Sequence, residues 1–355
     1  MKRECQVPNY REKDFIACLR KKYVKDSPEL VKTFGEDCAV IKLTQNESFI
    51  ISCDDFIEGT HFMQDYMTLP EAGRKALLTN ISDIISMGQA PSYYLVSISL
   101  PKSFRKEKAL ELYAGMNSAA RQYHIALIGG NTEAYNGPLA LRITIIGKTR
   151  NNYLFFRSNA QAGDLIFISN RIGLSALGLT LLQRGWRKKT HTIMDNLGQP
   201  EKRNFLKRAI KEYIAPSIPF HECMKLSKHH IPHAAIDISD GLIQDLQEIC
   251  KESHTGAIIH ENKLPVSAPL LKYCSSAKIH FNELMLGGGE DYQLLFTVPE
   301  KNCAKLSKIF SPRKLYCIGK IIKDDLCRVR LYLHGKEKSL PHRIGYDHFQ
   351  IGSNL

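Results

Sequence analysis

Short motifs that place a carboxylate or amide side chain beside glycine or another small residue constrain this chain most. Six of them are spread from residue 35 to residue 291. Neither of the common phosphate-binding glycine motifs, GxxxxGK[ST] or GxGxxG, occurs in the sequence. Because hard oxygen ligands suit Mg²⁺, a fold that gathers the six motifs would build a site for magnesium and phosphate groups. The motifs are Gly35-Glu36-Asp37, Ser52-Cys53-Asp54-Asp55, Asn80-Ile81-Ser82-Asp83, Gly129-Gly130-Asn131-Thr132, Asp237-Ile238-Ser239-Asp240-Gly241 and Gly287-Gly288-Gly289-Glu290-Asp291.

Most of these motifs, taken one at a time, also have a purely structural interpretation. Asp240 stands where a helix N-cap is expected, and Asp37 and Asp54 could close turns at strand ends. The glycine runs could be plain turns. A single histidine such as His61 packs in the protein or lies on its surface more often than it binds a ligand.

Asp83 is the hardest of these residues to explain as a structural feature. It lies in an apolar helical segment among Ile81, Ile84 and Ile85, where a buried carboxylate needs a partner. One shared metal and phosphate site explains all six motifs together, so we favour that interpretation.

The order of predicted strands and helices indicates an α+β protein with two αβ domains. At 355 residues the chain exceeds the size at which a single core usually stops growing. The polar segment 150–163 is predicted to cross between the domains, which assigns residues 1–150 to the first and 151–355 to the second. Predicted elements of the first domain are a β-hairpin over 38–53, a helix over 70–88, a strand over 94–100, a helix over 106–123 and strands over 125–129 and 139–147. Those of the second are strands over 164–169, 233–237, 256–260, 292–298, 314–320 and 327–333 and helices over 173–184, 241–253 and 300–309.

Composition limits the class of protein. Hydrophobic residues make up 43% and charged residues 24%, as in ordinary globular proteins. No apolar stretch approaches the length of a membrane span, and the first residues are charged, so we expect a cytoplasmic protein without a membrane partner. The ten cysteines include no CxxC pair, so we expect them to be reduced and mostly buried.

The formal net charge of +13 raises the question of a nucleic-acid partner. Much of the excess lies in 184–211, which carries nine basic residues and two acidic ones. A solvated surface segment is the favoured interpretation, and attraction of polyanionic ligands is the alternative. The sequence has no RNA-binding motif and no interleaving of aromatic and basic residues, so we expect no nucleic-acid partner.

Taken in order, the motifs resemble those of the thiamine-monophosphate kinases, a family within the aminoimidazole-ribonucleotide synthetase superfamily. The resemblance runs from about residue 12 to residue 349. Its most specific parts are the runs DISDGL at 237–242 and GGEDYQLLFT at 288–297. It implies the two-domain architecture of that superfamily, with N-terminal domains that pair in a dimer barrel, and therefore a homodimer.

The same resemblance implies roles for individual residues. Three groups follow from it: a Mg²⁺ shell that also carries the catalytic aspartates, contacts to ATP, and positions that face thiamine monophosphate. The Mg²⁺ residues are Asp37, Ser52, Cys53, Asp54, Asp83, Asn131, Asp237 and Asp240; the ATP residues are Tyr113, Gly130, Asn131, Arg157 and Ser239; the acceptor residues are His61, Glu290 and Tyr346.

Three positions depart from the family pattern. Glu36 replaces the usual aspartate, Cys53 stands where threonine is common, and Asn131 takes a place often held by aspartate. A neutral thiol is a poor Mg²⁺ ligand, so a metal contact at residue 53 should come from its backbone carbonyl. Asn131 keeps an oxygen but removes one negative charge.

The implied reaction is ATP plus thiamine monophosphate giving ADP plus thiamine diphosphate, by in-line transfer of the γ-phosphoryl group. Two alternatives stay open. One is another ATP-dependent enzyme of the same superfamily with a different acceptor. The other is a non-enzymatic nucleic-acid binder, which the pI of about 9.2 suggests and salt-sensitive binding would reveal.

Overall fold

The computed structural model describes residues 11–25, 27–149, 153–186, 200–310, 315–342 and 344–347. The described residues form two β-sheets, one in each half of the chain, together with helices. The predicted α+β class with an N-terminal and a C-terminal αβ domain is confirmed. The dimer barrel stays a prediction.

Among its described residues, the N-terminal half consists of one six-stranded sheet and three helices. The strands are β1 (Leu30–Lys32), β2 (Ala39–Lys42), β3 (Ser48–Ile57), β4 (Pro91–Pro101), β5 (Ala126–Tyr135) and β6 (Ala140–Thr149), and the helices are α1 (Glu12–Tyr23), α2 (Leu69–Ser86) and α3 (Lys106–Tyr123). The strand order is β1-β2-β3-β6-β4-β5. The β4–β5 pair is parallel, and the other pairs are antiparallel.

The C-terminal half consists of a seven-stranded sheet and seven helices among the described residues. Its strands are β7 (Leu165–Ile168), β8 (Ala235–Asp237), β9 (Gly256–His260), β10 (Leu294–Val298), β11 (Tyr316–Ile322), β12 (Val329–Leu333) and β13 (Lys336–Lys338). Its helices are α4 (Leu174–Gln183), α5 (Pro200–Ile214), α6 (Phe220–Lys228), α7 (Leu242–Glu252), α8 (Ala268–Ala277), α9 (Phe281–Leu286) and α10 (Glu300–Ile309). The strand order is β13-β12-β9-β11-β7-β10-β8.

Helix α2 is the element that joins the two halves. Its start is fixed by a capping box, in which the Thr68 backbone N–H and Oγ both lie within 2.8 Å of Glu71 Oε2. The helix contacts β3, β4 and β6 of the first sheet, and β8, α5 and α6 of the second half. Its buried side chains therefore belong to a core that also contains Tyr213, Leu226 and Phe296.

Most predicted elements are confirmed. The hairpin of β2 and β3, the helices α2, α3, α7 and α10, and strands β7 to β12 lie at or close to their expected positions. Some strand predictions were too short: β3 continues past Cys53 to Ile57, and β5 continues through Gly129 and Gly130 to Tyr135. The turn interpretation of that glycine pair is therefore wrong.

The predictions about cysteines and the basic segment are only partly met. The nine described cysteines are all free thiols, but only Cys38, Cys223, Cys250 and Cys274 are buried, so "mostly buried" was wrong. In the basic segment, residues 187–199 lie outside the described ranges, and 200–211 belong to α5, which buries Leu206 and Ala209. No described helix is both long enough and apolar enough to cross a bilayer.

Candidate active site

Three serines bind three of the predicted aspartates where the two halves meet. Ser86 Oγ of α2 donates to Asp37 Oδ2 at 2.6 Å, in the loop before β2. Ser52 Oγ of β3 donates to Asp83 Oδ2, and Ser82 Oγ of α2 donates to Asp237 Oδ2 at the end of β8, each at 2.6 Å. The partner that the Asp83 carboxylate requires is therefore present.

These aspartates lie close enough to influence one another. Burial raises the pKa of Asp83 well above its usual range, and the charges of Asp54, Asp237 and Asp37 raise it further. Burial and the charge of Asp37 raise the pKa of Asp237 to about 7. Asp54 is partly open to solvent, but the protein around it and nearby carboxylates raise its pKa too, while a hydrogen bond with Asp83 opposes that shift. Such a group of carboxylates favours the approach of a cation.

Arg157 reaches this group from the other half of the chain. Its guanidinium donates to Asp37, and its backbone N–H donates to Glu36 Oε2 at 2.6 Å. Ser158 Oγ donates to Glu36 Oε1 at 2.9 Å. The longer side chain of Glu36, one of the three departures, thus holds the segment that carries Arg157.

The DISDGL and GGGED segments form one unit. The Glu290 N–H donates to the Ser239 carbonyl at 2.7 Å. A Cβ at Gly289 would lie 2.3 Å from that same oxygen, so glycine is needed for this close approach. The loops therefore hold Ser239 and Glu290 next to one another.

Asp240 and Tyr346 are neighbours at the start of α7. The Tyr346 N–H donates to the Asp240 carbonyl at 3.2 Å. Gln244 Nε2 donates to Asp240 Oδ2 at 2.8 Å and to the Tyr346 carbonyl at 2.6 Å. The N-cap of α7 is Gly241, whose N–H is taken by Asp245 Oδ2 at 3.0 Å. The capping interpretation of Asp240 is therefore wrong, and its carboxylate is directed elsewhere.

His61 and Glu290 are connected through two residues that we had not assigned to the site. His61 Nδ1 accepts from the Ile57 N–H at 3.0 Å, so the neutral ring carries its proton on Nε2. The Tyr213 hydroxyl donates to the His61 carbonyl at 3.3 Å. Lys75 Nζ lies 3.4 Å from the centroid of the Tyr213 ring and 3.1 Å from Glu290 Oε2.

The strand register separates Cys53 and Asn131 from the aspartates. Alternate residues of a strand face opposite sides, and the bonds of Ser52 and Asp54 to Asp83 place those residues on the α2 side. Cys53 therefore faces away, and it accepts from Thr144 Oγ1 at 3.4 Å. Asn131 is paired with Ser97, and in the same alternation Glu133 accepts from Ser99 Oγ on that outer face. A metal contact at residue 53 would therefore have to come from the backbone. The Asn131 side chain lies on the face of the sheet opposite Asp54.

Gly130 lies in the same row of the sheet as Asp54. The register runs from Asp54 to Ile143, Val96 and Gly130, which is three strand spacings, or about 14 Å. A Cβ at Gly130 would lie 1.9 Å from the Val96 carbonyl oxygen. Tyr113, also predicted to contact ATP, is half-buried on α3 and packs against the core. A ligand that touches both Gly130 and Asp54 must lie across the sheet.

Several site residues were not picked out beforehand. Lys75 sits in the apolar run of α2, and the argument that singled out Asp83 would have singled out Lys75 as well. Ser82 lies in one of the six motifs but was given no role, and Ser86 lies outside them, so neither was assigned to the site. Tyr213 belongs to α5, a helix that we did not predict.

The residues fit Mg²⁺ and a triphosphate, although the carboxylates are not assembled as a finished ion cage. Within the described ranges, no three His, Cys, Asp or Glu side chains form a group that would hold a metal by themselves. Water and phosphate oxygens commonly complete Mg²⁺ coordination. Arg157 Nε is buried and, within the described part of the chain, has no hydrogen-bond partner. A phosphate oxygen would supply the missing acceptor.

Comparison with known proteins identifies the class. Residues 35–149 match the model of the AIR synthase related protein N-terminal domain, and residues 161–331 match that of the C-terminal domain. A fold with two αβ units and carboxylates at their junction therefore defines an AIR-synthase-related protein.

Individual relatives narrow the class to one family. The chain is 34% identical to the thiamine-monophosphate kinase of Buchnera aphidicola subsp. Schizaphis graminum, over 96% of this chain and 99% of the relative. It is 32% identical to that of Haemophilus influenzae, over 92% and 94%. The structure of AaThiL complexed with AMPPCP and TMP aligns with a TM-score of 0.76 and 26% identity, over 95% of this chain and 97% of that one. The chain belongs to the thiamine-monophosphate kinase family, as the motifs predicted.

Proposed function

We propose that this chain is an ATP-dependent kinase that phosphorylates thiamine monophosphate to thiamine diphosphate. The proposal rests on one observation: Asp37, Asp54, Asp83 and Asp237 lie close together beside Arg157 where the two halves of the chain meet. The chain's membership of this family gives that grouping its meaning. The AaThiL structure with AMPPCP and TMP supports ATP and thiamine monophosphate as the two substrates.

In the proposed reaction, an oxygen of the acceptor phosphate attacks the γ-phosphorus in line with the bond to the β-phosphate. That bond breaks, and ADP leaves with its electron pair. The attacking oxygen is already ionised near neutral pH, so the chain needs no strong general base. Its residues bind and orient the two substrates and offset their charge.

The proposed roles of the residues are those that the family resemblance implies, and the geometry supports them. Asp37, Asp54, Asp83 and Asp237, with Asp240 and the Ser52 oxygen, are the groups that would hold several Mg²⁺ ions. Those ions, when bound, supply neutralisation of the charge that the two phosphate-bearing substrates bring together. Arg157 has a buried Nε available for a triphosphate oxygen.

Two further groups of residues complete the proposed site. Ser239, Tyr113 and Gly130 contact ATP, and Asn131 contacts it through its backbone at the edge of the sheet. His61, Glu290 and Tyr346 face the acceptor, with the Tyr346 ring against its cationic thiazolium or its pyrimidine.

An ADP-release assay with Mg²⁺ and ATP tests the function directly. The acceptors to compare are thiamine monophosphate, free thiamine, hydroxymethylpyrimidine phosphate and none. We expect stimulation by thiamine monophosphate alone. Stimulation by a different acceptor would favour another enzyme of the superfamily. If no acceptor stimulates ADP release, the proposed kinase activity is excluded.

Asp237→Asn and Asp240→Asn test the site itself. Both variants should fold and lose turnover, because each removes a charge that the metal requires. Wild-type rates in both would show that the aspartates do not hold the metal.

We also propose that two copies of the chain pair through their N-terminal sheets. The outer face, opposite α2, carries exposed residues such as Cys53 and Asp55. Strand β5 lies at the sheet edge and is exposed along almost its whole length, with Leu127 and Ile128 about half exposed (45% and 53%). Such an edge is a ready surface for strand pairing. Light scattering should give twice the 40.3 kDa of one chain, and a monomer at micromolar concentration would contradict this pairing.

Three predictions from the sequence remain part of the proposal. The boundary between the domains is placed at residue 150, with 1–150 and 151–355 as the two units. A cytoplasmic location and the absence of a nucleic-acid partner stay predictions. Salt-insensitive activity and no retention on a generic DNA column at physiological salt would agree with the latter.

A further inference from the structure

Lys75 is a charged residue in a place where charge is costly. It lies in the middle of α2, its side chain is fully buried (0% exposed), and its neighbours Ala76, Leu77 and Leu78 belong to the core. A buried ammonium without a partner destabilises the fold by several kcal/mol in rough terms. A lysine here calls for an explanation beyond packing, because leucine or methionine would fill the same space.

The partner of Lys75 is a residue of the proposed acceptor site. Glu290 follows the glycine run of the C-terminal half and takes the Lys75 ammonium at 3.1 Å on Oε2. Its backbone has a φ of +63°, a conformation that is uncommon for glutamate. The side chain is 26% exposed. One end of the carboxylate is thus fixed to Lys75, while part of it stays open to a ligand.

Tyr213 completes the arrangement from α5. Its side chain is almost fully buried, its ring lies under the Lys75 ammonium, and its hydroxyl donates to the His61 carbonyl. Lys75 and His61 come from the N-terminal half, whereas Tyr213 and Glu290 come from the C-terminal half. The four residues therefore connect both sides of the proposed acceptor site through one buried cation.

We propose that Lys75, supported by Tyr213, is a positioning residue that holds the Glu290 carboxylate toward the organic part of the acceptor and so sets its selectivity. This inference rests on the proposed function. A carboxylate fixed in this way suits a ligand that carries a positive ring or ring-bound N–H donors, and the acceptor has both a thiazolium and an aminopyrimidine. The effect belongs to the acceptor alone, because the predicted ATP contacts involve other residues.

The test compares Lys75→Met, Glu290→Gln and the double variant with the wild-type enzyme. Lys75→Met keeps an unbranched side chain, one atom shorter than lysine, and removes the charge. We expect it to raise KM for thiamine monophosphate by about tenfold or more, with KM for ATP changed less than about twofold. The double variant should be no worse than Glu290→Gln alone, because the two residues act as one unit.

Arg74→Met is the matched control. Arg74 precedes Lys75 on α2, but its guanidinium binds Ser118 and Gln122 on α3. Its loss should leave both KM values unchanged. If Lys75→Met does not fold, Lys75→Gln serves in its place, because it also removes the charge but keeps a polar group in the buried site, and it should raise KM for the acceptor selectively.

The possible results separate the inference from the function. Wild-type enzyme that does not phosphorylate thiamine monophosphate overturns the proposed function. Active wild-type enzyme, combined with a Lys75→Met or Lys75→Gln variant whose KM for the acceptor is unchanged or rises in parallel with that for ATP, overturns the positioning role alone. The positioning role is also overturned if the increases in acceptor KM caused by Lys75→Met and Glu290→Gln add up in the double variant.

Discussion

Ser82 and Asp237 belong to different halves of the chain and are joined by a buried hydrogen bond of 2.6 Å. Ser82 lies on α2 beside Asp83, and Asp237 ends β8 at the edge of the second sheet. The bond fixes the orientation of the Asp237 carboxylate relative to Asp83. The position of one proposed metal-binding residue is therefore set by the half of the molecule that holds the others.

Ser82→Ala should lower kcat by roughly tenfold, since a lost hydrogen bond to a charged group is worth about 1.5–3 kcal/mol. The protein should stay folded, because alanine is a good helix former and fills the space. Steady-state kinetics with Ser118→Ala as the control would check this; Ser118 is a surface serine of α3 that binds Arg74. Equal rates for both variants would show that the bond does not position Asp237.

The stability of the protein should depend on the ionisation of Asp291. Burial raises the pKa of its carboxyl to about 7, although the N–H groups of Gly173 and Ser175 oppose the shift. The folded state therefore binds the proton more tightly than the unfolded chain, whose aspartate ionises near 3.8. The free energy of unfolding should fall as pH rises from about 4 to about 7, by up to about 4 kcal/mol.

Asp291→Asn cannot ionise and provides the comparison for that pH effect. Denaturant titrations at several pH values should show a smaller decline between pH 4 and 7 for the variant than for the wild type. Parallel curves would mean that Asp291 titrates normally in the folded protein.

Gly289→Ala should disturb the contact between the DISDGL and GGGED segments. The added Cβ would lie 2.3 Å from the Ser239 carbonyl oxygen, so the loops must separate at a cost of about 1–3 kcal/mol. Gly185→Ala is a suitable control, because its φ of +76° is unfavourable for alanine but the space around it is open. Thermal melts should place Gly289→Ala below the control, and the reverse order would argue against this close contact.

Sequence patterns revealed the fold better than the site. Pro70 and the apolar period of α2, and the alternation of β2 and β3, are local signals, so those elements could be predicted. The pairing of Ser82 with Asp237, or of Lys75 with Glu290, depends on contacts between segments 155 and 215 residues apart. No local pattern specifies such contacts.

The case of Asn131 shows a related limit. Its motif was found, but which face of the sheet the side chain takes depends on the register of β5 against β4. A sequence motif gives the residue types, but the strand register determines which face of the sheet each side chain occupies.

Tyr346→Ala should raise KM for thiamine monophosphate more than KM for ATP. The backbone of Tyr346 is fixed to Asp240 and Gln244, and we propose that its ring contacts the acceptor. Tyr332→Ala removes a tyrosine of β12 whose hydroxyl binds Glu337, and it should change neither value. If Tyr346→Ala raises KM equally for both substrates, the Tyr346 ring does not contact the acceptor.

The most direct test of the shared metal site is a crystal structure with a non-hydrolysable ATP analogue and Mn²⁺, which stands in for Mg²⁺ and can be located by its anomalous scattering. We predict Mn²⁺ peaks within coordination distance of Asp37, Asp54, Asp83 or Asp237, with carboxylates from both halves of the chain and oxygens of the analogue around them. Bound analogue with every Mn²⁺ peak away from these four residues would contradict the account.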